Sequence, residues 1–104
     1  MVSLESLQKI ALSFPETNEV PHFEKISFRY KKKIFATYNN KENRACLKLS
    51  PVDQDVFSAF NREMIHPVPN KWGKYGWTLF YFAQLNEELF ADALEIAYQE
   101  VVNK

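Results

Sequence analysis

The sequence predicts an α+β fold: a mainly antiparallel sheet with helices packed on it, in the order helix, three to four strands, helix, one to two strands, helix. Three observations carry this. Apolar residues recur at helical spacing near both ends of the chain, strict alternation replaces that spacing between residues 19 and 49, and short turn-forming stretches separate the alternating runs. The 104 residues make one domain, 1–104, and 46% hydrophobic with 25% charged residues is the balance of a chain that folds on its own core.

The first helix is expected over residues 4–13. Ser3 is its N-cap, Leu4, Leu7, Ala11 and Phe14 share one face, and Pro15 ends it by driving Phe14 out of helical dihedrals. An extended piece near 19–23 follows, confined to a sheet edge by Pro21. Ile26, Phe28 and Tyr30 then alternate with Ser27 and Arg29; Ile34, Ala36 and Tyr38 with Phe35 and Thr37; Ala45, Leu47 and Leu49 with Cys46 and Lys48. Each run reads as a strand with one face toward a core. Residues 31–33 form a tight hairpin turn, and Asn39-Asn40-Lys41-Glu42-Asn43 a longer one.

Ser50-Pro51-Val52-Asp53 places an N-cap, a proline at the first helical position and an acid where it suits the helix dipole. A helix over about 51–61 should bury the stripe Val52, Val56, Phe57 and Phe60. Pro67 and Pro69 force residues 65–69 to be extended. The loop from Asn70 to Trp77 holds both glycines and both tryptophans of the chain, which marks where the backbone needs special freedom. Residues 78–82 read as a strand covered on both faces. The last helix opens at Asn86 and packs Leu89, Phe90, Ala93, Leu94, Ala97 and Val101.

No apolar run approaches the roughly 18 residues of a membrane span, the N-terminus lacks the basic start and apolar stretch of a secretory signal, and Cys46 is the single cysteine. A reducing, cytoplasmic setting and no membrane partner are the expectation. Formal charge is zero, but it is unevenly spread. Residues 25–48 carry Lys25, Arg29, Lys31, Lys32, Lys33, Lys41, Arg44 and Lys48 against Glu42 alone, +7 for the segment and −7 for the rest. Lysines on a solvated strand face also block edge pairing, so this segment is read either as an anion-binding surface or as a solvated face.

His22, His66 and Cys46 have no metal-ligand spacing, so neither metal nor cofactor is expected. Each histidine reads as a hydrogen-bonded loop positioner, and Cys46 as a partly buried strand filler. Two glycines cannot build a phosphate-binding loop, and nothing resembles a nucleophile–base arrangement or paired catalytic carboxylates, so enzyme activity is not expected. Trp72, Lys74 and Tyr75 offer a stacking platform with cationic edges. Trp72 is open between platform and core; Trp77, which begins a buried strand, is expected in the core.

Pro21-His22-Phe23, Ser27-Phe28-Arg29-Tyr30, Lys33-Ile34-Phe35-Ala36-Thr37, Leu47-Lys48-Leu49-Ser50-Pro51 and Trp72-Gly73-Lys74-Tyr75-Gly76-Trp77-Thr78 resemble, in order and spacing, the MmcQ/YjbR family. The resemblance spans essentially the whole chain. It implies a small, bacterial, intracellular protein with a CyaY-like, or secretion-chaperone-like, fold, labelled DNA-binding from a "double wing" of strands by fold-level analogy. One departure is Lys31-Lys32-Lys33 where the family commonly has a Gly in the first hairpin turn; a positive φ there costs Lys about 1 kcal/mol or more. Either the turn type differs or the extra charge is useful. The frataxin-type iron binding that the fold name suggests would need a carboxylate ridge, and here the first helix offers only Glu5 beside a basic hairpin.

Two functions are therefore expected to compete. In the first, hairpins 26–38 and 38–49 are wings whose eight cations contact DNA phosphates, with Arg29 and Lys31 on one strand face. In the second, the sheet surface and the Trp72–Trp77 loop, with His22 as a further candidate beside Trp72, Lys74 and Tyr75, hold a protein or small ligand, as monomer or dimer.

Overall fold

The structure, a computed structural model, describes residues 2–22 and 24–103, with the side chain of His22 outside the description. Helix α1 (Leu4–Ser13) is capped by Ser3, whose hydroxyl accepts from the Ser6 N–H while Ser6 Oγ accepts from the Ser3 N–H. Phe14 is extended at its C-terminus, as Pro15 requires. Six strands follow: β1 (Thr17–His22), β2 (Lys25–Tyr30), β3 (Lys33–Asn39), β4 (Arg44–Lys48), β5 (Ile65–Pro67) and β6 (Trp77–Tyr81). They form one antiparallel sheet in the order β1-β2-β3-β4-β6-β5. Helices α2 (Pro51–Ser58), α3 (Lys71–Lys74) and α4 (Glu87–Val102) complete the chain. Among the described residues, no helix is long and apolar enough to cross a membrane.

One sheet face packs against α1 and α4. Phe28, Ala36, Ala45, Leu47 and Phe80 are fully buried there against Leu7, Ala11, Phe90, Leu94 and Ala97. Burying the Phe and Leu side chains among these contributes about 1.5–3 kcal/mol each, the main term opposing chain entropy. The ring of Tyr98, on α4, stacks on Phe14 at 4.6 Å and meets Phe35 edge-on at 5.7 Å.

Phe35 departs from the alternation expected of its strand. The β2–β3 register shifts between Phe28, opposite Ala36, and Arg29, opposite Ile34. Phe35 is the extra residue of this bulge, so it is fully buried beside Ala36 while Ile34 stays half-buried. The bulge delivers one more ring to the core between α1 and α4.

Helix α2 differs more. Its cap is as expected: Ser50 Oγ accepts from the Asp53 N–H at 3.1 Å and donates to Asp53 Oδ2 at 2.9 Å. Of the expected apolar stripe only Phe57 is buried, and the rest points outward. Val52, Val56 and Phe60 are 73%, 51% and 65% exposed, and the residues turned inward are Gln54, Phe57 and Ser58. The segment 70–77, expected as a loop, contains the single helical turn α3, capped by Asn70 Oδ1 accepting from the Trp72 N–H.

Candidate functional site

Among the described residues, no helix longer than the single turn α3 lies over the sheet's other face. Register places Lys25, Ser27 and Arg29 of β2 there, with Thr37 and Asn39 of β3 and Arg44, Cys46 and Lys48 of β4. Trp77, Leu79 and Tyr81 of β6 join them. On this face, Val68 and Trp72 with Thr37, Cys46 and Trp77 line an open, apolar hollow of about 340 Å³. Thr37, Cys46 and Val68 also line a second hollow of about 290 Å³, whose other walls include Lys25, Asn39, Arg44 and Asn70. The two hollows form one groove, apolar at the tryptophan end and cationic and amide-lined at the other.

The tryptophan end is held by backbone fit and one buried amide. Gln54 Nε2 donates to the Gly73 carbonyl at 2.9 Å and lies 3.2 Å from the Trp77 carbonyl and 3.1 Å from Thr78 Oγ1. At Gly73 a Cβ would sit 2.1 Å from the Val68 carbonyl oxygen; at Gly76, with φ +103°, it would sit 1.7 Å from that of Leu49. Both glycines are therefore required, Gly73 by close approach and Gly76 by dihedral as well. Lys48 Nζ donates to the Tyr75 carbonyl at 2.6 Å and ties the segment to β4. Trp72 remains 51% exposed and Tyr75 59% exposed, their rings 6.1 Å apart, with Lys71 Nζ over the Trp72 ring.

At the cationic end Arg44 donates to Tyr81 Oη at 2.7 Å and lies over the Tyr81 ring, which faces the His66 imidazole at 5.5 Å. Lys25 makes no ion pair among the described residues. Burial pushes the Cys46 thiol up to about 11, although Arg44 and Lys25 pull it down. At neutral pH it is a protonated, weakly nucleophilic part of the groove floor.

The eight basic residues of 25–48 do not share one place. Lys25 and Arg44 meet at the groove. Arg29 is on the same face, its Nε donating to Ser27 Oγ at 3.1 Å. Lys48 is engaged with the aromatic segment. Lys31, Lys32 and Lys33 lie at one end of β3 and Lys41 at the other, about 20 Å away for a seven-residue strand, because successive antiparallel turns fall at opposite ends. The two hairpin tips are therefore opposed and do not act along one edge. The expected alignment of Lys31 with Arg29 on one strand face is corrected: Lys31 has left-handed backbone, φ +57°, and its Nζ lies over the Tyr30 ring and 3.9 Å from Glu16. Lys74 and Tyr75 are exposed around α3, and the His22 side chain lies outside the described residues. Trp77, expected in the core, is half-buried in the groove wall. Alternation from the buried Thr78 and Phe80 was the signal that placed it on the other face.

A sequence-family model described as YjbR matches residues 12–100. The crystal structure of Deinococcus radiodurans protein DR2400, whose family-model domain is DUF419, superposes with a TM-score of 0.86 at 20% identity, covering 100% of this chain and 81% of that one. That likeness is one of fold. No curated protein matches the chain significantly.

Proposed function

The chain belongs to the YjbR family, and on that premise we propose that it is a binding domain whose ligand is an anion bearing a flat apolar group, held in the groove on the sheet face opposite α1 and α4. One observation carries the reading: a single groove joins a tryptophan-walled end to an end lined by Lys25 and Arg44. A mainly apolar concavity with a few convergent polar groups is the usual form of a ligand site. Arg44 is already oriented by Tyr81, so less side-chain freedom is lost on binding. Asn39 and Asn70 add amide donors and acceptors between the two ends. With its thiol protonated, Cys46 offers the groove no nucleophile at neutral pH, which favours binding over chemistry.

The test uses tryptophan emission with three probes: a naphthalene carboxylate, a nucleoside monophosphate and a short single-stranded oligonucleotide. At least one is expected to quench. Trp72→Ala and Arg44→Gln should each weaken that probe about tenfold or more, from a lost stacking surface of about 1–3 kcal/mol and a lost charge-assisted contact of about 1.5–3 kcal/mol. Absence of quenching by all three at millimolar concentration overturns the reading.

Duplex DNA is the second reading. It is supported by three consecutive exposed lysines at the end of the β2–β3 hairpin, the form of a phosphate-contacting tip. Because Lys41 is at the opposite end of β3, this reading is of one wing and not two.

A further inference from the structure

The outward stripe of α2 belongs to a second surface, on the helical side of the molecule. Val56 and Phe60 of the α2 region and Leu89 and Ile96 of α4 line an apolar hollow of about 460 Å³. The inner side of α2 is occupied by Gln54, which holds the aromatic segment, and by Phe57. The stripe Val52, Val56 and Phe60 is consequently left facing solvent at helical spacing. Isolated exposed apolar residues are ordinary; a contiguous set around a hollow marks an interaction site.

The rim decides what fits. The titratable groups lining the hollow are Asp92 and Glu95, both acidic and exposed. A second copy docking through the same surface would set these carboxylates against each other, an arrangement that costs rather than stabilises. An anionic bilayer would be repelled for the same reason. The complementary occupant is an amphipathic helix with an apolar face and Lys or Arg on its flanks, seated in the groove between two helices. We infer that the α2–α4 groove is a docking site for such a basic amphipathic helix of another protein. This stands independently of the sheet-face groove.

A displayed library of random short peptides, selected against the intact protein, tests it. Enriched sequences are expected to place apolar residues at helical spacing and to be net basic. Their affinity should fall at least about tenfold with Phe60→Asp. It should fall further as salt rises, and the neutral pair Asp92→Asn with Glu95→Gln should remove that salt dependence. Phe60, Asp92 and Glu95 are exposed, so these variants should keep the wild-type circular dichroism and melting temperature, which separates lost docking from lost folding. The inference is overturned if enriched peptides are acidic or lack helical spacing, or if they bind Phe60→Asp equally. It is also overturned if sedimentation finds a dimer that Phe60→Asp disperses, or if the protein binds anionic vesicles through this face.

Discussion

Lys31 occupies a left-handed conformation in the turn joining β2 to β3, with φ +57°. A non-glycine residue there loses about 1–2 kcal/mol to the contact between its Cβ and the backbone. Its exposed contact with Glu16 returns little. Lys31→Gly should therefore stabilise the domain by about 1 kcal/mol, read as a rise of about 4–8 °C in melting temperature. An unchanged or lower midpoint would show that the turn is not strained. Ser50→Ala should have the opposite sign, losing about 1 kcal/mol with the cap of α2. Cys46 gives a pH test. Burial raises its thiol to about 11 from an ordinary 9.0, so the folded state favours the protonated form. The associated stability is present below the unfolded pKa and is lost as pH rises through the folded one. Alkylation by iodoacetamide should accordingly be slow at pH 8 and accelerate toward pH 11, and an alkylation rate at pH 8 equal to that of a free thiol would contradict the burial.

At the scale of elements, the cap of α2, the stop at Pro15, the extended stretch at Pro67 and the alternation of β2 and β4 were legible because each depends on neighbouring residues in the chain. What could not be read locally was decided by partners distant in sequence. Phe35 turns inward because β3 bulges against β2, and the face α2 buries is fixed by Gln54 reaching Gly73 and Thr78 some twenty positions on. A helix pattern of Val52, Val56 and Phe60 announces an apolar face but not what lies against it. The groove was half legible: Trp72 stood out by composition, whereas its junction with Lys25 and Arg44 required the strand order β2-β3-β4-β6. Gln54→Leu should destabilise by about 1–3 kcal/mol and shift tryptophan emission to the red as the aromatic segment loosens. Trp72→Ala should change stability little, since the ring is half exposed, where a fully buried Trp would lose about 3–5 kcal/mol.

At the scale of the whole molecule, charge is sorted by face: Lys25, Arg29 and Arg44 on the sheet surface opposite α1 and α4, Asp92 and Glu95 on the helical one. This sorting gives the two nucleic-acid geometries different signatures. If duplex DNA binds through the lysine tip, replacing Lys31, Lys32 and Lys33 by Ala should reduce the magnitude of the log K–log salt slope by about 2–3. If an anion occupies the groove, that triple substitution should leave the affinity for it unchanged while Arg44→Gln weakens it. Both outer strands of the sheet carry a proline, Pro21 in β1 and Pro67 in the three-residue β5. A proline has no N–H to offer an incoming strand. Neither flank of the sheet is thus a good template for lengthening it, by a peptide or by a neighbouring copy in a concentrated solution. A ligand held in the groove as proposed lands on side chains, so its selectivity is written in residues that substitution can change and not in the backbone that every partner shares.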